Sequence, residues 1–181
     1  MSDIPEVTGE MTLSNSFLGD TVQVCVVTRD YRRTMEGMVR LGIGPWRVYT
    51  FGKPHVTDMT YRGRPAEFSM KLCLAFSGTM LWEIIEPREG RTIYHDFLDA
   101  HGEGVHHVAF GCNGMPWRAR IEEFERRGFE KIQSGIWAGR VPWAYFATED
   151  ATSTTFEIYD IPADMTFPEP EQWYPARPPG A

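Results

Sequence analysis

Four residues break runs that are otherwise apolar and rich in β-branched side chains: Gln23 in TVQVCVVT, Glu83 in LWEIIEP, His107 in VHHVAFG and Glu157 in TFEIYD. An unpaired charge buried in such a run is expensive, so four of them ask for a shared partner. A divalent cation is the simplest one. The two glutamates carry two negative charges, His107 offers an imidazole nitrogen and Gln23 a neutral amide oxygen, so the ligand charge cancels that of the ion. One nitrogen with three oxygens suits a borderline-to-hard ion in octahedral geometry, with zinc, manganese, cobalt, nickel and magnesium all open. Two positions would then stay free for water or a chelating substrate.

These residues follow an internal repeat. Thr21 to Thr28 reads as a strand, Asp30 stands as a helix N-cap, and Tyr31 to Leu41 has helical spacing until Gly42 stops it. Val105 to Gly111 and Trp117 to Arg127 restate that order, with Gly128 as the stop. Phe68 to Ala75 with Thr79 to Ile85 reads as one hairpin, and Arg140 to Thr148 with Thr154 to Tyr159 as another. Gln23 and His107 are 84 positions apart, Gly42 and Gly128 86, and Glu83 and Glu157 74. The second copy is therefore about ten residues shorter in its middle, a deficit assigned to loops. The segment Gly44 to Pro65, punctuated by glycine and proline, reads as two short strands and loops. If each copy curls into a half-barrel, residues on the two concave faces converge near a pseudo-twofold axis.

The elements imply an α+β chain organised as a polar arm (1–18), a first module (19–87), a linker (88–103), a second module (104–161) and a proline-rich arm (162–181). Prolines at 162, 168, 170, 175, 178 and 179 argue against regular secondary structure in that last arm, whose Phe167, Trp173 and Tyr174 are expected to pack on this subunit or on a partner. At 181 residues, 42% hydrophobic and 24% charged, the chain is long enough to bury an ordinary core. A net charge of -7 without a Lys/Arg-rich run disfavours nucleic acid. The N-terminal segment lacks the order of a signal peptide and no apolar run reaches the roughly 20 residues of a membrane span, so a cytoplasmic protein with no membrane partner is expected. Cys25, Cys73 and Cys112 lack paired spacing and read as reduced core residues.

GVHHVAF, LWEIIEP, FEIYD and the LGIGPW after the first helix resemble the corresponding segments of the glyoxalase I and methylmalonyl-CoA epimerase branch of the vicinal oxygen chelate superfamily. The resemblance covers about Asp20 to Asp160. It implies two paired βαβββ modules forming a curved half-barrel sheet around a metal site, in one chain or across a homodimer. It also implies an isomerase, epimerase or lyase that abstracts a proton next to a metal-bound carbonyl to give an enolate or enediolate. By analogy with glyoxalase I, Glu157 is the expected base, and Glu83 is the symmetry-related candidate on the other face of the substrate carbon. The ligand types Gln, Glu, His and Glu resemble eukaryotic glyoxalase I, whereas LGIGPW, EGVHHVAF and IIEP resemble the epimerases, which usually have His at the position of Gln23. The arginine that glyoxalases use for glutathione is Val27 here. The expected substrate is a small carbonyl compound, an acyl thioester or an aromatic one.

Other polar residues have plainer readings. His106 points away from His107 on an alternating strand and reads as structural, and His55, His95 and His101 read as surface. Arg29, Arg32, Arg33 and Arg40 read as solvated helix charge, with coenzyme A phosphates as the alternative. Two further function classes remain beside the first. An extradiol-type dioxygenase would need His at position 23 for its iron set. A non-catalytic small-molecule binder resembling the bleomycin-resistance proteins would not need four ligands.

Overall fold

Alternation in β1 (Thr21–Val27) turns Gln23, Cys25 and Val27 to one buried face, and the rest of the molecule is arranged around that face. The computed structural model describes residues 17–111 and 114–180. After β1 come α1 (Tyr31–Arg40), β2 (Trp46–Phe51), β3 (Val56–Tyr61), β4 (Arg64–Pro65), β5 (Met70–Ser77) and β6 (Met80–Pro87). Then follow α2 (Ile93–His101), β7 (Gly104–Gly111), α3 (Trp117–Arg126), β8 (Lys131–Trp137), β9 (Val141–Phe146), α4 (Glu149–Thr152), β10 (Thr155–Tyr159) and β11 (Gln172–Tyr174). Asp30 caps α1 by accepting from the Arg33 amide, and Gly42, at φ 86°, takes the left-handed turn that ends it. Gly128, at φ 85°, does the same after α3.

Among the described residues the strands form one curled, open sheet in the order β11-β2-β5-β6-β1-β7-β10-β9-β8-β3-β4. The fold is an α+β half-barrel. β6-β1 and β7-β10 are parallel pairs, and β1 and β7 meet antiparallel at the centre with Val24 opposite Val108. Since those two valines are also 84 positions apart, the local twofold passes between them. Helix α1 covers the convex side of the first half through Tyr31 and Met35 against Trp46, Cys73 and Ile84. Helix α3 covers the second, where Phe124 stacks on Phe146 at 3.9 Å between ring centroids.

Three expectations change. The extra length of the first half is not spent on loops: residues 52–69 contain the β3–β4 hairpin, which leaves its own half and pairs with β8 at the outer edge of the other. β8 was implied by a βαβββ module but not placed on residues, because its inward positions include Gln133 and Gly135 and its apolar alternation fails there. The C-terminal segment does hold a strand, since Gln172 to Tyr174 lies between Pro170 and Pro175 and pairs with β2 along the edge. The connection between the halves carries α2, whose first amide, Ile93 N–H, donates to Gln133 Oε1 at 3.1 Å. The polar arm up to residue 16 and Cys112 lie outside the described residues. No helix among the described residues is long and apolar enough to cross a membrane.

Candidate metal centre

The four residues singled out in the sequence converge on the concave floor of the half-barrel. Gln23 and His107 come from the two central strands, and Glu83 and Glu157 from the strands flanking them. Their relative exposures are 3% for Gln23, 6% for Glu83, 0% for His107 and 5% for Glu157. His107 Nε2 lies 3.1 Å from Glu83 Oε2 and 3.1 Å from Glu157 Oε2. One ring N–H cannot serve both carboxylates, and among the described residues Glu83 Oε2 has no hydrogen-bond partner. The Gln23 amide Nε2 sits 3.4 Å from His107 Nε2 and donates to Glu157 Oε2 at 3.3 Å. A half-turn of the amide would present its oxygen instead, the end a cation requires.

Each central histidine or glutamine is preceded by a β-bulge. The β1–β7 register shifts between Thr21 and Gln23 and again between Cys25 and Val26, which leaves Val22 and His106 as the extra residues. They are 84 positions apart, so the bulges obey the repeat. The bulge turns His106 inward beside His107, with 2.9 Å between their Nδ1 atoms. His106, read from strand alternation as facing away, is therefore the partner that orients the His107 ring. Burial, with the His107 charge adding to it, holds the His106 pKa far below its usual value, so His106 is neutral and can accept from His107 Nδ1–H. When a cation displaces the Nε2 proton, the same bond at Nδ1 would hold the ring with its Nε2 lone pair directed at the carboxylates' meeting point.

The electrostatics are those of crowded negative charge. Burial opposes a charged imidazole at His107, yet the two carboxylates facing its Nε2, Glu157 ahead of Glu83, outweigh it and raise its pKa to about 9. Burial raises the Glu157 pKa and the Glu83 charge adds to it, while His107 and the Tyr145 hydroxyl only partly offset the rise. The Tyr94 hydroxyl donates to that of Tyr145 at 2.8 Å. Among the described residues, Cys25, Glu83 and His107 present three donor atoms within 4.8 Å of one another. An unsatisfied buried carboxylate oxygen beside imidazole, thiol and a second carboxylate is a donor set that a divalent cation fits.

Above the floor lies a cavity of about 60 Å³. Its walls are Leu72, Leu74, Leu81 and Ile85 from the first half and Val141 and Trp143 from the second, and Phe167 of the C-terminal segment closes it against Trp137 with ring centroids at 5.8 Å. Among the described residues no Lys or Arg lines it. Sequence reasoning did not assign Tyr94 or Cys25 to the site, since both look like ordinary core residues in apolar runs. Arg29 and Arg33 are engaged elsewhere, Arg29 on the Leu98 carbonyl and Arg33 on Glu103.

Residues 22–146 match the model of a family described as the Glyoxalase/Bleomycin resistance protein/Dioxygenase superfamily. No curated protein matches the chain. Among solved structures, a hypothetical protein from Bacillus halodurans is similar over 82% of this chain and 98% of its own, with 18% identity and a TM-score of 0.58. Methylmalonyl-CoA epimerase from Mycobacterium tuberculosis is similar over 83% and 93%, with 13% identity and a TM-score of 0.57. A Streptomyces coelicolor methylmalonyl-CoA epimerase variant in complex with 2-nitronate-propionyl-CoA matches over 83% and 99%, at 17% identity and a TM-score of 0.51. At these identities the likeness is one of fold, and it agrees with the half-barrel and its twofold. Family model, repeat and topology coincide, and the chain belongs to the Glyoxalase/Bleomycin resistance protein/Dioxygenase superfamily.

Proposed function

We propose that the chain is a metal-dependent isomerase, epimerase or lyase that removes a proton from the carbon next to a carbonyl, on a substrate whose reacting end carries an apolar or aromatic group. The observation that supports this most is the meeting of Gln23, Glu83, His107 and Glu157 on a buried floor where Glu83 Oε2 has no hydrogen-bond partner among the described residues. These four residues would hold the ion. A divalent ion held there would act as a Lewis acid on a substrate carbonyl and stabilise charge developing on its oxygen.

The chain's own groups supply the rest. Glu157 takes the proton, and its burial makes it a stronger base than a solvated carboxylate. Glu83, related to it across the twofold, is placed to deliver a proton to the opposite face, as an epimerisation requires. His106 fixes the His107 ring. The aliphatic and indole walls exclude water and orient the substrate by shape. The epimerase structures similar to this chain are named for a coenzyme A thioester, and an acyl thioester is one substrate class this reading includes. With no cation among the lining residues, the cavity favours an uncharged acyl or aryl group over a second carboxylate.

The test is solvent deuterium incorporation at C2 of a 2-phenylpropionyl thioester, with methylmalonyl-CoA run beside it and excess divalent ion supplied. Exchange into the aryl thioester, lost by roughly 100- to 10,000-fold in Glu157→Gln, is expected. Failure of the loaded protein to exchange either compound would overturn the reaction class, and full activity in Glu157→Gln would remove that residue as the base.

A further inference from the structure

Glu83, Cys25 and His107 form a row across three adjacent strands. Cys25 on β1 is in register with Glu83 on β6 and with His107 on β7. Neighbours in such a row point their side chains to the same face, and here the thiol sulfur, a Glu83 oxygen and a His107 ring nitrogen lie within 4.8 Å of one another. The repeat does not duplicate this feature. The position 84 residues after Cys25 is Ala109, in register with Glu157, so one side of the twofold carries a sulfur where the other carries a methyl group.

A buried cysteine is usually inert packing, but two observations separate Cys25 from Cys73. Cys73 faces the convex cluster beneath α1, among apolar side chains. Cys25 faces the concave floor, and beside it Glu83 Oε2 is buried without a hydrogen bond among the described residues. A carboxylate oxygen left unsatisfied next to a thiol and an imidazole marks a point where positive charge is wanted. We infer that Cys25 is itself a ligand of the divalent ion, adding a thiolate sulfur to the donors from Glu83, His107, Glu157 and Gln23.

This rests on the metal reading above and sharpens it. Ion binding displaces the thiol proton to solvent, and the sulfur joins imidazole and carboxylate in a mixed donor set. Such a set prefers zinc, cobalt or nickel to magnesium, which takes oxygen donors. It also relieves Gln23, the weakest donor of the four, from completing the site.

The test uses the full chain loaded with Co(II) or Zn(II). With cobalt, a sulfur-to-metal charge-transfer band in the near ultraviolet is expected in the wild type and in Cys73→Ala, and its loss is expected in Cys25→Ala, which copies the residue at the twofold-related position. With zinc, X-ray absorption of the wild type is expected to show one sulfur at about 2.3 Å, a readout that needs no variant to fold. Bound metal with a shell of nitrogen and oxygen alone at about 2.0–2.2 Å, or a charge-transfer band that survives Cys25→Ala, would overturn Cys25 as a ligand and leave the metal reading standing. Absence of any bound ion after reconstitution would overturn both.

Discussion

At the scale of single residues, the floor of the half-barrel is governed by which groups can share a proton and which cannot. His106 is the clearest case. Its ring nitrogen Nδ1 meets His107, so His106→Phe keeps an aromatic ring of similar size against Tyr94 and Phe97 and removes the acceptor. Divalent-ion affinity measured by calorimetry is expected to fall on the order of 10- to 100-fold while the melting temperature changes little. An unchanged affinity would show that His107 needs no orienting partner. The convergence of Gln23, Glu83, His107 and Glu157 was legible in the sequence, because polar side chains are conspicuous in apolar strands and the repeat relates them. Cys25 and Tyr94 were not, since their types are normal in a core. His106 was misread because alternation assigns neighbours to opposite faces and a bulge suspends that rule.

At the scale of elements, two joints hold the frame of the site. Glu103, just before β7, accepts from the Thr28 hydroxyl, the Arg29 amide and the Arg33 guanidinium, and so ties the start of α1 to the second half. The Arg33 hydrogen bond, followed by those from Arg29 and Thr28, lowers its pKa to about 2. A depressed carboxylate contributes stability above its unfolded pKa of about 4.3 and loses that contribution as pH falls toward its folded value. Glu103→Gln is therefore expected to unfold at lower denaturant than wild type at pH 7, with the gap closing by pH 2; a gap independent of pH would contradict the linkage. Gly135 is the second joint. A Cβ there would stand 2.6 Å from Trp143 Cζ2, against an indole already fixed in the cavity wall. Gly135→Ala is expected to cost about 1–3 kcal/mol in urea unfolding and to shift tryptophan fluorescence, and a neutral result would mean that the wall yields freely. The same glycine hid β8 from the sequence reading, which found the flanking β9–β10 hairpin through its apolar and aromatic strands on either side of a polar turn.

At the scale of the whole molecule, strand pairing among the described residues joins the halves at two places: at the centre by β1 and β7, and at the rim by the β3–β4 hairpin lying on β8. The first join was foreseeable from the repeat, because each half brings an equivalent first strand. The second was not, since nothing local in Val56 to Tyr61 names a partner some 80 positions away, where Val56 meets Trp137. Replacing residues 53–66 by a short turn is expected to leave the central pairing intact but to bare the edge of β8. Size-exclusion chromatography should then show self-association that the wild type lacks at equal concentration, whereas a monodisperse variant would show that the hairpin protects nothing.

That hairpin also orders events in time. During synthesis, residues 56–65 are made well before the β8 strand on which β3 lies, so the first half must carry an unpaired two-stranded flap until residue 137 has emerged. The long connection is a debt in chain entropy incurred early and settled late, which makes closure of the rim a slow step of folding. It also makes the nascent first half the stage most exposed to misassembly with another copy.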